Sequence, residues 1–213
     1  RSFRCLSPMP TSFPYGPSVR FVSRGLKHLK DLQDEEGCIG PRGTRHFAYD
    51  HAIGALALVE AYAMTGSAIY KNPAQKALDF IALARNPGLA WRYFVRPGDN
   101  DTSVTAWMFL ALDAARRVNA FDVARGLPPS LTIDTAAFDG VRAWIDQMTD
   151  PATGRVGYQH RGTGPARRSE VVDQFPAERA EGLTAVGVFT RLAAGEIAGS
   201  SGHLLRGIDL VAW

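Results

Sequence analysis

The feature that most constrains this chain is an alternation between two kinds of helical segment. Val22, Leu26, Leu29 and Leu32 recur at helical spacing, with Arg24, Lys27, Lys30 and Asp31 largely on the other face. That is a one-sided helix with a single apolar stripe. The next periodic run, residues 51–66, reads HAIGALALVEAYAMTG, and Glu60 is its only acid. A helix apolar nearly all round must be buried on most sides. The pair then recurs. Ala74, Ala77, Leu78 and Ile81 mark a second one-sided helix, followed by a nearly uncharged one over residues 103–115 that holds Trp107, Met108, Phe109 and Leu110. A third pair combines Phe138, Val141, Trp144, Ile145 and Met148 with GLTAVGVF, residues 182–189, and Pro176 opens the latter helix region.

Each one-sided helix ends in a glycine-bearing turn: Gly37-Cys38-Ile39-Gly40, Gly88-Leu89-Ala90-Trp91 and Gly154-Arg155-Val156-Gly157. The first two turns lie about 50 residues apart, and the third interval is lengthened by loop insertions. A period of that size signals stacked supersecondary units, none of which buries its own apolar face. The expected fold is therefore all-α: helical hairpins in two layers, amphipathic helices outside and apolar helices inside, curving toward a toroid. Residues 1–17, with Pro8, Pro10, Pro14 and Pro17, read as an extended leader, and 18–213 as the repeat domain.

Composition excludes several function classes. Hydrophobic residues make up 46% and charged residues 21% of the 213, with a formal charge of +3 spread along the chain. This is a soluble-globular balance, and so mild an excess of positive charge does not by itself argue for nucleic acid. No run approaches the roughly 18 apolar residues of a membrane span, and no signal-peptide layout is present. Cys5 and Cys38 do not form a disulfide framework, which points to reduced thiols in a cytoplasmic compartment. The chain starts without Met and stops at Trp213, so it reads as a piece of a larger polypeptide.

Five stretches carry a resemblance to a known family: LQDEEGCIG (32–40), YDHAIGALAL (49–58), NPGLAWRY (86–93), GDNDTSVTAW (98–107) and GLTAVG (182–187). Over roughly residues 19–213 the chain resembles the α/α toroids of terpenoid cyclases and protein prenyltransferases. It is most similar to bacterial proteins with prenyltransferase/squalene-oxidase repeats, the squalene–hopene cyclase-like group. The resemblance implies a closed ring of six helix pairs, of which this chain supplies three, with residues 199–213 beginning a fourth. It also implies a Gln-x-x-x-Gly-x-Trp turn tying each outer helix to the next loop. Gln33, Gly37 and Ile39 follow that pattern with the Trp replaced. In the second unit Trp91 is kept and Arg85 stands near the Gln position.

The family's acid motif, Asp-x-Asp-Asp-Thr, falls on residues 98–102, with Asp101-Thr102 in register. Asn100 then occupies the place of the proton-donating Asp, and alkene protonation by that route is lost. Asp99 and Asp101 remain the candidate catalytic acids. The plainer reading is that Asp101 or Thr102 caps the following helix, where negative charge also suits the helix dipole. Asp50 before the first inner helix, and Glu178 or Glu181 before the third, are read as its counterparts. On this reading Asp101→Ala costs about 1 kcal/mol of stability.

Other chemistry has weaker footing. Zinc, which the prenyltransferases hold with Asp, Cys and His, would have to use Cys38, His46 and His51, which lack any paired-ligand spacing. No metal or cofactor is expected. Thioester, Gly-x-Ser-x-Gly and phosphate-loop motifs are absent from the sequence. A glycan-processing α/α barrel would need paired carboxylates, and Asp99 with Glu181 is the one pair to nominate. Candidate ligand contacts are His51, Trp91, Tyr93 and Trp107, with Phe94 beside them, and the basic loop arginines Arg161, Arg167 and Arg168. The expected function is a non-catalytic module for a hydrophobic or isoprenoid ligand or a protein partner. A squalene–hopene cyclase-like enzyme acting on a polyprenyl substrate is the alternative.

Overall fold

The computed structural model describes residues 17–44, 46–163, 171, 174, 181–197 and 201–212. Among these the protein is all-α, with seven helices and no strand. They are α1 (Pro17–Asp31), α2 (Phe47–Thr65), α3 (Ala68–Ala84), α4 (Thr102–Ala124), α5 (Ala136–Met148), α6 (Gly182–Ala193) and α7 (Gly202–Val211). α2 packs on α1, α3 and α4, while α4 packs on α3, α5 and α6, and α6 on α5 and α7.

The one-sided helices bury the stripes expected of them, with one exception. On α3, Ala74, Ala77, Leu78 and Ile81 are all buried, joined by Phe80 and Ala84. On α5, Val141, Trp144, Ile145 and Met148 are buried, and Phe138 is half-buried against the core. α1 is the exception: Leu26 and Leu29 pack against the core, but Val22 and Leu32 are exposed. Its main contacts run to α2, with Lys30 over the Tyr70 ring of α3, and together these cover only part of the stripe. α4 continues nine residues beyond the expected 115, to Ala124, because no glycine or proline interrupts the sequence before Gly126.

Of the apolar stretches, residues 103–115 of α4 include no exposed position, whereas α2 and α6 are not buried all round. Ile53 and Met64 on α2 are 45% and 58% exposed, and Phe189 on α6 is 37% exposed. Leu183 and Val186, expected in the core of α6, are only half-buried. An apolar circumference states that burial is favourable, but the neighbours present leave part of α2 and of α6 uncovered.

Three turns follow α1, α3 and α5, each closed by a backbone hydrogen bond that spans four residues in the first two and five in the third. Asp34 N–H donates to Cys38 O at 2.9 Å, Asn86 N–H to Ala90 O at 2.9 Å and Asp150 N–H to Arg155 O at 2.8 Å. Gly37, Gly88 and Gly154 have φ of 93°, 73° and 80°, the left-handed region that favours glycine. Each turn presses on a later helix. A Cβ on Gly37 would strike the Lys76 backbone of α3, and one on Gly154 would lie 2.6 Å from Arg206 Cβ of α7. The second turn presents the Leu89 carbonyl to Gly140 of α5.

Side chains on the next helix then receive the turn. Ile39 N–H donates to His51 Nδ1 (3.1 Å), Trp91 N–H to Thr105 Oγ1 (3.3 Å) and Val156 N–H to Thr184 Oγ1 (3.2 Å). Gln33 Nε2 donates to Gly37 O and to Pro73 O of α3, at 3.1 and 3.0 Å. Arg85, at the corresponding place after α3, pairs instead with Asp134 just before α5 at 2.8 Å.

Candidate functional site

The acidic stretch before α4 is folded onto the second turn. Asn86 Nδ2 donates to Asp99 O (2.7 Å), and its Oδ1 accepts from Gly98 N–H (2.9 Å). Asn100 Oδ1 accepts from Asn86 Nδ2 at 2.9 Å and from Ala90 N–H at 3.1 Å. Asn100 is thus a buried tie between loop and turn. Asp101 sits in extended backbone as the N-cap of α4, and its Oδ1 accepts from Val104 N–H at 2.8 Å. The cap satisfies one of the four orphan N–H groups of the first turn.

The proposed counterparts of this cap differ. Asp50 lies inside the first turn of α2, and the N-cap residue there, His46, makes no side-chain cap bond. Glu181 precedes α6 but holds Arg155 at 2.7 Å and accepts from Thr184 Oγ1 at 2.6 Å. Glu178 lies outside the described residues. Acidic capping is therefore specific to α4 among these three helices, which removes the argument from recurrence and makes Asp101 distinctive.

Its surroundings are also distinctive. Asp101 is 0% exposed, and its Oδ2 is buried without a hydrogen bond. Arg92 Nε, likewise buried and unbonded, lies 3.9 Å away. Burial pushes the Asp101 pKa up to about 6, against the pull of the Val104 N–H, the Tyr158 hydroxyl and Arg92. Arg92 is anchored on its outer side by Asp99 and by Gln159 Oε1, the latter at 3.1 Å. Three tyrosines complete the cluster. Tyr93 and Tyr158 share a short hydroxyl–hydroxyl hydrogen bond. The Tyr49 ring lies 6.1 Å from that of Tyr93, tilted by 47°, and its hydroxyl donates to Ser103 Oγ at 3.1 Å. Burial pushes Tyr49 up to about 12 and Tyr158 well above the ordinary phenol, so both are neutral donors.

Of the residues singled out in the sequence, Asp99, Asp101 and Tyr93 meet here. The others lie elsewhere. His51 is fully buried; its Nδ1 accepts from Ile39 and its Nε2–H donates to Ala77 O at 3.1 Å. Burial lowers its pKa to about 4, so it is neutral, and both nitrogens serve the fold. Trp91 is buried with its indole N–H on Ile81 O at 2.8 Å. Trp107 packs half-buried against the core. Arg161 is bonded to Gln147 O at 3.2 Å on the surface, and Arg167 and Arg168 lie outside the described residues. Asp99 and Glu181 are each held by a different arginine, Arg92 and Arg155. Cys38 is buried, and among the described residues no cluster of three His, Cys, Asp or Glu side chains is placed to hold a metal.

Sequence reasoning missed Arg92, Tyr49 and Tyr158. It also missed a groove of about 1080 Å³ between the C-terminal halves of α2 and α4, which Phe189 of α6 borders. Leu56, Leu110, Ala114 and Phe121 line its walls, with Glu60, Arg117 and Arg125 among its polar groups. The sequence signal for it is the apolar circumference of residues 51–66 and 103–115. No protein-family model, curated protein or solved structure matches the chain.

Proposed function

We propose that the chain is part of an α/α toroid akin to the terpenoid cyclases and prenyltransferases, and that it acts as a non-catalytic binding module for an apolar, isoprenoid-like molecule. The groove carries this reading. A concave cavity of about 1080 Å³ walled by Leu56, Leu110, Ala114, Phe121 and Phe189 suits a largely hydrocarbon ligand. The toroid reading draws support from the three like turns, each pressing on a later helix, and from the succession of contacts α2–α4–α6. No described helix is long and apolar enough to cross a membrane. A reducing, cytoplasm-like compartment fits the reading: burial pushes Cys38 up to about 11, which makes it a packing residue rather than a reactive thiol.

The alternative, a squalene–hopene cyclase-like enzyme, has one observation in its favour, the buried acid Asp101. Two considerations count against it. A carboxyl with a raised pKa is a weaker acid than usual, whereas alkene protonation demands a stronger one. Asp101 also precedes Leu110 by nine residues, about 13 Å along the helix axis, and does not line the groove.

Native mass spectrometry with farnesol as the probe tests the reading, on the wild type and on Ala114→Trp, which fills the groove. One farnesol per wild-type chain is expected, lost in a variant with unchanged melting. Equal retention by both proteins, or none by the wild type, overturns it. A concentration-dependent dimer dissociated by Ala114→Trp would assign the groove to a protein surface instead.

A further inference from the structure

The tyrosine-lined end of α4 plays no part in the groove reading and supports an inference of its own. Asp101 spends Oδ1 on the helix cap and keeps Oδ2 buried and unbonded. Charged and titratable groups face the carboxyl from each segment packed around it. Tyr49 comes from α2, Arg92 from the segment after the second turn and Tyr158 from the segment after the third, with Tyr93 behind Tyr158 through their shared hydroxyl bond. Asp99 acts on it through Arg92. Thr102 fastens the same corner, its N–H and hydroxyl both bonding to the 157–158 backbone, at 3.0 and 2.6 Å.

We infer that Asp101 is a proton-operated latch joining α4 to segments 92–99 and 158–159. Ionised, Oδ2 attracts Arg92 and offers only an acceptor to the hydroxyls beside it. When it takes a proton from solvent, Oδ2 becomes a donor toward Tyr158. The Tyr158 hydroxyl then donates to Tyr93, so the bond between the two tyrosines runs outward from Asp101, and Arg92 is left to Asp99 and Gln159. The change is a redirection of hydrogen bonds at a corner where three segments meet. Burial supports a switch in mild acid, because it pushes the carboxyl up to about 6.

The test compares wild type with Asp101→Asn between pH 4.5 and 8, by tyrosine near-ultraviolet circular dichroism and by thermal melting. Asn keeps the capping oxygen and carries a permanent donor in place of the protonated Oδ2. The wild-type tyrosine signal is expected to change with a midpoint near pH 6, while Asp101→Asn holds the acid-form signal throughout. Asp101→Asn should also melt several degrees above wild type at pH 8, with the gap closing at pH 5. His51 titrates in both proteins and cancels in the difference. A variant whose tyrosine signal follows pH as the wild type does overturns the latch. Should the variant fail to fold, carbon-13 spectra of the wild-type aspartate carboxyls decide. A resonance titrating near pH 6 and moved by Tyr158→Phe upholds the latch; none titrating above pH 5 overturns it.

Discussion

Asp101 Oδ2 and Arg92 Nε stand 3.9 Å apart inside the protein, both buried, and neither makes a hydrogen bond. A charge pair held this way gains Coulomb energy but forgoes the bonds that normally offset desolvation. Burial dominates, and the folded-state pKa of Asp101 rises from 3.8 to about 6. The folded protein therefore binds this proton more tightly than the unfolded chain. The contribution of Asp101 to stability grows as pH falls from 6 toward 3.8 and is lost as pH rises through 6.

That sign separates the two effects of Asp101→Ala. At pH 8 the variant loses a cap, costing about 1 kcal/mol, and sheds a buried charge, which offsets the loss. At pH 5 the wild-type carboxyl is mostly protonated and the offset shrinks. The destabilisation should be larger at pH 5 than at pH 8 by about 1.4 kcal/mol, the value of one pH unit below the folded-state pKa. Urea unfolding at the two pH values reads it. A loss that diminishes on acidification would show that charge pairing, not burial, governs the site.

His51 works in the opposite direction. Its folded-state pKa is lowered from 6.5 to about 4, so the stability it confers is complete above pH 6.5 and is lost as pH falls through 4. His51→Ala strands the Ile39 N–H in the core, removes the second bond to the Ala77 carbonyl and leaves a cavity, and should cost about 3 kcal/mol at pH 7.5. The variant should also lose part of the acid sensitivity of the wild type. Denaturant titrations at pH 7.5 and 5 check both effects, and an unchanged acid sensitivity would discount His51 as a source of it.

Gly154→Ala tests how the third turn seats α7. The residue has φ of 80°, and a Cβ there would meet Arg206 Cβ at 2.6 Å and Gly207 N at 2.8 Å. Strain and collision together should cost more than about 2 kcal/mol. Hydrogen exchange would locate the damage in α7, with α2 and α3 protected as before. Equal loss of protection throughout would mean that α7 and the earlier helices unfold as one unit.

The helices and the cap were legible in the sequence because both are local. The stripe of Ala74, Ala77, Leu78 and Ile81 specifies its own buried face, and Asp101 reaches a backbone N–H only three residues ahead. The all-apolar segments were less readable. Their composition says that burial is favourable without saying which neighbour covers which side, so the exposure of Phe189 and Met64 and the groove beside them went unseen. The tyrosine cluster was unreadable for a related reason. Tyr49 meets Ser103 across 54 positions and Tyr93 meets Tyr158 across 65, and no periodicity encodes such meetings. Asp50 shows the opposite error: it resembles a cap in sequence, yet α2 begins three residues before it.

Asn100→Asp tests the proposed binding module against the cyclase alternative, because it supplies the acid that the resemblance to the cyclases would require at this position. Asn100 is only 7% exposed, and its Oδ1 already accepts from the Asn86 side chain and the Ala90 N–H. A carboxylate in its place can accept the same two bonds, so the fold should survive. Those donors stabilise the ionised form, and hydrogen bonds to a carboxylate hold its proton affinity down. The new group would therefore be deprotonated at neutral pH and unable to deliver a proton to an alkene. It would also stand at the N-terminal end of α4, while the groove is lined by Leu110 and later residues of that helix. Incubation of the variant with squalene, followed by gas chromatography and mass spectrometry, should return squalene unchanged. A cyclised product would overturn the binding-only reading and place a reaction chamber against the second turn.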